Sequence, residues 1–486
     1  MTLTADRRSF IGSALAGLAT SLVITPELAL AGALPPRWAS AVADIEGDSA
    51  EAALTLIHGK VPAGFGGTLW RNGPAKFRRG TSAAGHWFDG DGLVRRWHVA
   101  DGKASLTTRF VDTPKRRLET KLNAIVTPGF GTASRPGAQL GGPDDANAAN
   151  TGLINLGGDL LALWEGGSAV RLDPETLETR GFKTWRDDLK GMPFSAHPRI
   201  EPDGSVWNFG GGGRNCVLWN IRADGTLAKA EVIKLPRPSY FHDFTITRRH
   251  VVIVLQPWLQ EAFKFPLASG MVWRPEQGTQ VLVIDKDDLT KQRTFELPAF
   301  SFFHLGDGWD EADGTIRFDG CFEADPSFGQ RGASALLEGV HLPVPRPILT
   351  QVALHPSGKT ELLPSRVEAE FPQNDRRFTG AARRFTVHVG GYRDTPFPNQ
   401  LARWDWQTGK SDRYDFGDDQ LVEEFLFVPR GSSESDGWLI GTTLNLKAGA
   451  SELHIIDAKR LSAGPVASWR STLALPIGFH GTFVRG

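Results

Sequence analysis

The sequence contains little cysteine, little tyrosine and no surplus of either charge. Its 486 residues include two cysteines, three tyrosines and three methionines, so a disulfide-dense scaffold is excluded. Lys and Arg number 54 against 55 for Asp and Glu, and the formal net charge of -1 argues against nucleic-acid binding, which favours a basic surplus. The most apolar stretch, residues 10–24, is shorter than the roughly 20 residues that a membrane-spanning helix needs.

Glycine, proline, phenylalanine and tryptophan are abundant instead. There are 55 glycines, 31 prolines, 29 phenylalanines and 15 tryptophans, together with 12 histidines. A chain of this length and composition is rich in turns and forms a hydrophobic core without disulfide cross-links. We predict that Cys216 and Cys321 are two separate buried thiols; a disulfide between them is the alternative in an oxidising compartment.

The N-terminus has the order of features that is typical of an export signal. Arg7 and Arg8 precede the weakly apolar stretch over residues 10–24, and a small-x-small site ends at Ala31. This order predicts a twin-arginine signal over residues 1–31, cleavage after Ala31 and a periplasmic protein. An uncleaved N-terminal helix or anchor is the alternative.

Short β-rich segments separated by turn dipeptides recur along the rest of the chain. Residues 160–164 and 251–255 are examples, and Asp173-Pro174 is one of the turns. About seven such units predict an all-β fold, a seven-bladed β-propeller formed as one domain by residues 32–486. An array of β-sandwiches is the second interpretation. In a propeller, residues that are distant in the sequence meet at one central axis.

Four of the histidines stand out because each adjoins a small or aromatic residue and each falls in a different unit. They are His197, His242, His304 and His480, which are 45, 62 and 176 residues apart. This spacing matches neither a helical HExxH motif nor a zinc finger, but it suits ligands that come from separate blades. Neutral imidazoles are suitable ligands for Fe, Zn, Cu and Ni. The alternative for any single histidine is a surface or hydrogen-bonded core position.

Several further motifs accompany these histidines. They are GTLWRNGP (67–74), GHWFDGDGL (85–93), RFVDT (109–113), LWEGG (163–167), LDPETLET (172–179), EFP (370–372), EFLFVP (424–429) and HG (480–481). In this order, the motifs resemble those of the carotenoid cleavage oxygenase family. The resemblance implies a seven-bladed propeller with a lid of loops and short helices over one face.

The resemblance also implies a metal centre and a reaction. Non-haem Fe(2+) would be held by the four histidines, and Glu165, Glu370 and Glu424 would hydrogen-bond to three of the imidazoles. The implied enzyme is a dioxygenase that cleaves a C=C bond of a carotenoid or apocarotenoid with O2 and gives aldehyde products. A stilbene- or phenylpropene-cleaving dioxygenase of the same family, an isomerase or hydrolase of the family, and a non-redox ligand-binding propeller are the alternatives.

The expected substrate is lipophilic because polar residues are missing at two places. The stilbene-cleaving branch of the family has a lysine where this chain has Trp164 and a tyrosine about where it has Leu106. We therefore expect an apolar substrate tunnel, lined by Trp164, Phe241, Phe303, Phe371, Phe425 and Leu106; the alternative is that these residues are simply core. Residues 258–273, which mix apolar and aromatic side chains, are expected in the lid at the tunnel mouth, in peripheral contact with a membrane; a packed connection is the alternative. The sequence leaves the oligomeric state open.

Overall fold

The strands form seven large antiparallel sheets and two two-stranded ones in the computed structural model, which describes residues 35–486. The first strands in chain order are β1 (Ser49–Ala53), β2 (Thr55–Gly59), β3 (Gly67–Arg71), β4 (Arg78–Arg79), β5 (Ser82–Ala83), β6 (Leu93–Ala100), β7 (Lys103–Phe110), β8 (Gly152–Leu156), β9 (Asp159–Leu163), β10 (Val170–Leu172), β11 (Thr179–Phe182), β12 (Arg199–Ile200), β13 (Val206–Gly212), β14 (Asn215–Ile221), β15 (Leu227–Lys234), β16 (Thr245–Ile246) and β17 (His250–Leu255). The remaining strands are β18 (Trp258–Gln260), β19 (Met271–Trp273), β20 (Thr279–Asp285), β21 (Gln292–Leu297), β22 (Ser301–Asp310), β23 (Ile316–Glu323), β24 (Ile348–Leu354), β25 (Thr360–Glu368), β26 (Glu370–Gln373), β27 (Phe385–Gly390), β28 (Gln400–Asp405), β29 (Lys410–Asp415), β30 (Gln420–Pro429), β31 (Gly437–Asn445), β32 (Ala450–Asp457), β33 (Pro465–Arg470) and β34 (Gly481–Arg485).

Helices are few and short in the described residues. They are the α-helices α1 (Pro114–Leu122) and α2 (Ala333–Leu337), a π-helical turn at Phe328–Gly332, and 3-10 turns at Arg37–Val42, Trp87–Asp89, Pro143–Ala146, Asp187–Leu189, Leu267–Gly270, Pro275–Gln277, Arg376–Phe378 and Leu461–Ala463. None of the helices within residues 35–486 has the length and apolarity needed to traverse a bilayer.

Each large sheet is one blade of a propeller. From the outer edge inwards, blade I is β1-β7-β6-β3-β34, blade II is β11-β10-β9-β8, blade III is β15-β14-β13-β12 and blade IV is β21-β20-β17-β16. Blade V is β25-β24-β23-β22, blade VI is β29-β28-β27-β26 and blade VII is β2-β33-β32-β31-β30. The innermost strands of blades IV, V, VI, VII, I and II contact one another in that order around the centre. This arrangement confirms the predicted seven-bladed propeller and rules out an array of β-sandwiches.

The two ends of the described chain close the ring together. Strand β34 pairs with β3 in blade I, with Gly67 opposite Arg485 and Arg71 opposite Gly481. The early strands β1 and β2 complete the outer edges of blades I and VII, where β2 pairs with β33. Segments that are distant in the sequence thus hold the first and last blades together.

The hydrophobic core lies mainly between the blades. Strand β17 has five fully buried residues in succession, Val251 to Leu255, because blades pack against both of its faces. Cys216 in blade III and Cys321 in blade V are buried and unpaired, which confirms the prediction of two separate thiols. Burial raises the pKa of the Cys216 thiol to about 12. The predicted export signal, residues 1–31, lies outside the described residues.

Candidate metal centre

Every blade contributes one predicted site residue to the centre of the ring. From blade I to blade VII, these residues are His480, Glu165, His197, His242, His304, Glu370 and Glu424. His480 directly precedes the inner strand β34. His197 lies just before β12 and His242 just before β16, whereas His304 lies within β22. The propeller therefore brings together side chains that are as far apart in the sequence as His197 and His480, whose ring centroids lie 4.4 Å apart.

The four imidazoles face one another through the same ring nitrogen. Nε2 of His197 lies 2.8 Å from Nε2 of His242, and Nε2 of His304 lies 3.1 Å from Nε2 of His480. One nitrogen from each of the four rings lies within 4.8 Å of the others. Because metal–imidazole bonds are about 2.0–2.1 Å long for Zn and similar for related metals, four nitrogens at these separations fit around a single ion.

Carboxylates face the opposite nitrogen of three of the rings. Nδ1 of His304 lies 2.5 Å from Glu370, and Nδ1 of His480 lies 2.9 Å from Glu424. Nδ1 of His242 is further from its carboxylate, 3.5 Å from Glu165. A carboxylate at Nδ1 favours the tautomer that carries its proton there and leaves the Nε2 lone pair free for a metal.

Burial and these carboxylates set the charge of the rings. Burial, helped by the neighbouring imidazoles, lowers the pKa of His197 well below its usual value and so favours the neutral, metal-binding form. Burial acts in the same direction on His304, but the Glu370 carboxylate outweighs it and raises the pKa of that ring. Burial opposes ionisation of Glu424, yet His480 and the Arg71 guanidinium lower its pKa and keep it an anion.

A large, mainly aromatic cavity of ≈ 560 Å³ adjoins the histidines. Four of the six predicted tunnel residues line it: Trp164, Phe241, Phe303 and Phe371. Phe371 has a positive φ of 52°, which is rare for a bulky residue, and its ring centroid lies 4.8 Å from that of His304. The backbone at this position therefore turns the ring onto a candidate ligand.

The other two tunnel predictions, Leu106 and Phe425, are wrong. Leu106 lies on β7, three strands away from the innermost strand of blade I, and it packs in the core shared with blade VII. Phe425 follows Glu424 on β30, and successive side chains of a strand point to opposite faces. Since Glu424 is directed at His480, Phe425 is directed into the core between blades VI and VII.

Residues 258–273 form the hairpin β18-β19 and border the large cavity. Gln260, Phe263, Phe265 and Leu267 are among the lining residues, and Phe263 is 39% exposed. The segment thus lies between the cavity and solvent, which is the position expected of a tunnel mouth.

Sequence reasoning missed the polar residues of the cavity wall. Two of the three tyrosines, Tyr240 and Tyr392, line the cavity, and the Tyr240 hydroxyl donates to Oε2 of Glu165 over 3.1 Å. Glu323 and Arg346 also line it. The position of Tyr240, two residues before His242, was the available signal in the sequence.

A second, smaller cavity of ≈ 100 Å³ also reaches the histidines, and its lining is polar. Its residues include Arg199, Asp243, Asp307, Gln373, Asn374 and Arg376. His304, His480 and Phe371 border both cavities.

The fold and the site together define a class of protein: a seven-bladed propeller with a four-histidine group, suited to a metal, at its centre. Comparison with known proteins agrees. A family model described as "Retinal pigment epithelial membrane protein" matches residues 43–485. The chain is 29% identical to the apocarotenoid-15,15'-oxygenase of Synechocystis over 88% of this chain and 92% of that protein. It is 28% identical to the isoeugenol monooxygenase of Pseudomonas putida over 93% of this chain and 97% of that protein.

Solved structures show the same fold. Cobalt-substituted Synechocystis apocarotenoid oxygenase superimposes with a TM-score of 0.84 at 24% identity, over 93% of this chain and 98% of that one. This chain belongs to the carotenoid cleavage oxygenase family, as the motifs indicated, and it is an oxygenase. The family acts on lipophilic substrates with O2.

Proposed function

We propose that this protein is a dioxygenase dependent on Fe(2+) that cleaves a C=C bond of a carotenoid or apocarotenoid with O2 and releases two aldehyde or ketone products. One observation carries the proposal: four imidazoles meet beside a large cavity rich in aromatic side chains, and three of them have a carboxylate near the opposite nitrogen. A propeller that only bound a ligand would have no need of this carboxylate support.

In this mechanism, the protein's own residues hold the metal ion and orient the imidazoles that bind it. His197, His242, His304 and His480 would hold the ion through Nε2, and Fe(2+) bound by four neutral ligands supplies open positions at which O2 is activated. Glu370 and Glu424 hydrogen-bond to Nδ1 of His304 and His480 and keep these two rings in the correct tautomer. Glu165 lies 3.5 Å from Nδ1 of His242 and makes no hydrogen bond to it in this structure. All three carboxylates would offset the charge of a buried dication.

The aromatic wall selects the substrate and keeps water away from the site. Trp164, Phe241, Phe303 and Phe371 offer broad apolar faces to a conjugated chain, and burying such a chain is favourable without any acid or base. Which double bond is cleaved then depends on how far the substrate's polyene chain extends past the histidines.

A phenylpropene is the second candidate substrate. The similarity to isoeugenol monooxygenase, which extends over 97% of that protein, favours it. Trp164, at the place where the stilbene-cleaving branch has lysine, speaks against it, because an indole cannot exchange a proton with a phenol.

The test combines metal analysis with product analysis. Purified protein should contain stoichiometric iron after Fe(2+) reconstitution and should convert an apocarotenal to shorter aldehydes, followed by mass spectrometry under air and under nitrogen. Failure to retain iron would refute the metal centre. Cleavage of a hydroxystilbene but of no polyene would replace the proposed substrate with the phenylpropene class.

We also propose that the protein is exported to the periplasm and contacts a membrane surface. The twin-arginine motif at Arg7 and Arg8 supports export to the periplasm, and Phe263 and Phe265 at the cavity support peripheral membrane contact for taking up a lipophilic substrate. Fractionation of cells that express the wild type and an Arg7→Lys/Arg8→Lys variant tests the first point, because the variant should stay in the cytoplasm. Retention of the wild type in the cytoplasm would refute it.

A further inference from the structure

Three polar side chains from neighbouring segments lie on the wall of the large cavity. They are Glu323 at the end of β23, Arg346 just before β24, and Tyr392 between β27 and β28. We call them the polar triad. Blades V and VI supply them, so three separate segments converge on one part of the wall.

Glu323 lacks the partner that a buried carboxyl group normally has. Its side chain is 4% exposed, and its Oε2 has no hydrogen-bond partner within the described part of the chain. Burial, reinforced by the negative charges of Glu370 and Asp325, raises the pKa of Glu323 well above its usual value, against the opposing effect of Arg346. These surroundings favour the neutral carboxylic acid, whose O–H is a hydrogen-bond donor.

Arg346 is fixed in place but has no carboxylate partner. Its guanidinium lies 4.1 Å from the centre of the Tyr392 ring, and its Nη2 donates to Nε2 of His341 over 3.1 Å and to the Thr395 carbonyl over 3.4 Å. Across residues 35–486, no carboxylate oxygen lies within 4.0 Å of it. The contacts position the charge at the cavity without neutralising it.

The Tyr392 hydroxyl completes the set of donors. Burial, together with the Glu370 carboxylate, raises the pKa of Tyr392 well above its usual value, so the phenol keeps its proton. Glu323 pairs with Ser301 on β22, the strand that carries His304, and Tyr392 follows β27, whose Val389 pairs with Glu370. The triad therefore lies on the same side of the cavity as the carboxylate that supports His304.

Buried charges away from the cavity are arranged differently. Lys115 is almost fully buried, but its Nζ lies 2.8 Å from both Asp91 and Glu119. Buried charged and polar groups normally have such partners, because leaving them unpaired is costly. On the cavity wall, by contrast, Oε2 of Glu323 has no hydrogen-bond partner and Arg346 no carboxylate partner among the described residues, although both line a space large enough for a ligand.

We propose that Glu323, Arg346 and Tyr392 bind the oxygen-bearing end of the substrate, a carbonyl or hydroxyl oxygen that accepts hydrogen bonds from the triad. This inference rests on the proposed function. It adds that the aromatic wall binds the hydrocarbon part while the triad binds the terminal oxygen and thereby sets the register of the chain. A polyene without a terminal oxygen would slide more freely past the histidines.

Anaerobic binding tests the triad without relying on turnover. Tryptophan fluorescence quenching gives Kd for an apocarotenal and for a polyene hydrocarbon of the same length, and a second arm uses a hydroxystilbene and the unsubstituted stilbene. We expect the wild type to bind the oxygenated member of the polyene pair more tightly by about tenfold or more, since each tenfold corresponds to about 1.4 kcal/mol.

Four variants separate the donors. Arg346→Met and Tyr392→Phe should each reduce that preference several-fold, and so should Glu323→Leu. Glu323→Gln should keep most of it, because the amide N–H donates as the neutral acid does. The matched controls are Arg293→Met, an arginine over Phe295 on the outer strand β21, and Tyr414→Phe on the outer strand β29. Thermal unfolding confirms that each variant is folded.

The outcomes distinguish this inference from the proposed function. A preference equal to that of the wild type in Arg346→Met, Tyr392→Phe and Glu323→Leu would overturn the inference, whether or not the enzyme cleaves polyenes. A preference that depends on the triad only in the stilbene pair would uphold the triad and overturn the polyene substrate. Triad-dependent binding of the apocarotenal by a protein that retains no iron would uphold the triad and refute the metal centre.

Discussion

Two cavities of opposite character meet at the same histidines. The larger, ≈ 560 Å³, is walled mainly by aromatic rings, of which Phe303 and Phe479 are examples. The smaller, ≈ 100 Å³, is lined by charged and amide side chains such as Arg199 and Asp307. The ring of Phe371 borders both and lies against His304, with ring centroids 4.8 Å apart.

The contrast between the two cavities indicates which side of the metal centre suits a lipophilic substrate. An apolar chain gains free energy by leaving water only where it replaces water against apolar walls, so it is held in the larger cavity. In the smaller cavity the same chain would remove water from Arg199 and Arg376 and gain little in return. We therefore expect a polyene in the larger cavity and not in the smaller one.

The largest effect is expected from His304, which borders both cavities. His304→Ala removes one ligand nitrogen and should lower kcat/KM by more than about 100-fold, together with iron content, because a lost ligand costs more than a lost outer partner. Elemental analysis and product formation measure the two quantities. His355→Ala is the control, since this histidine lies in the turn after β24 beside Glu361. Full activity in His304→Ala would remove it from the metal centre.

Glu370→Gln should have the next largest effect. The substitution keeps the shape of the side chain but replaces the carboxylate oxygen 2.5 Å from Nδ1 of His304, and loss of such a partner typically costs about 10–100-fold in metal affinity or activity. Titration with Fe(2+) gives the affinity. Glu368→Gln, on the exposed end of β25, is the control and should match the wild type. The same affinity in both variants would mean that Glu370 does not support the ligand.

The two cavities should respond differently to truncation. Phe303→Ala removes an aromatic wall of the larger cavity, and losing that buried contact should raise KM for a polyene about tenfold. Asn374→Ala removes the polar group of a side chain that lines the smaller cavity and should leave KM unchanged. Steady-state kinetics on one apocarotenal compares them. An equal rise in both variants would mean that the substrate occupies both cavities.

The propeller and the seven central residues could be predicted from the sequence, but the cavity wall only in part. Short strands separated by turns indicate blades, whereas the roles of His197 and Glu424 followed from the resemblance of their motifs to those of the family and not from their spacing. A phenylalanine in a strand favours burial without specifying against what. Whether it faces a cavity or the core depends on strand alternation and on bulges, as the opposite outcomes for Phe303 and Phe425 show.

Leu106→Ala should have the smallest effect on activity and so distinguishes a residue of the core from a residue of the cavity wall. Leu106 is 2% exposed and packs between blades I and VII, where truncating leucine to alanine typically costs about 2–5 kcal/mol of unfolding free energy. Below the unfolding temperature of the variant, KM for an apocarotenal should equal that of the wild type, because the cavity is lined by other residues. Denaturant unfolding measures the first quantity and steady-state kinetics the second. A raised KM in the fully folded variant would show that packing in the core between blades I and VII affects the cavity wall.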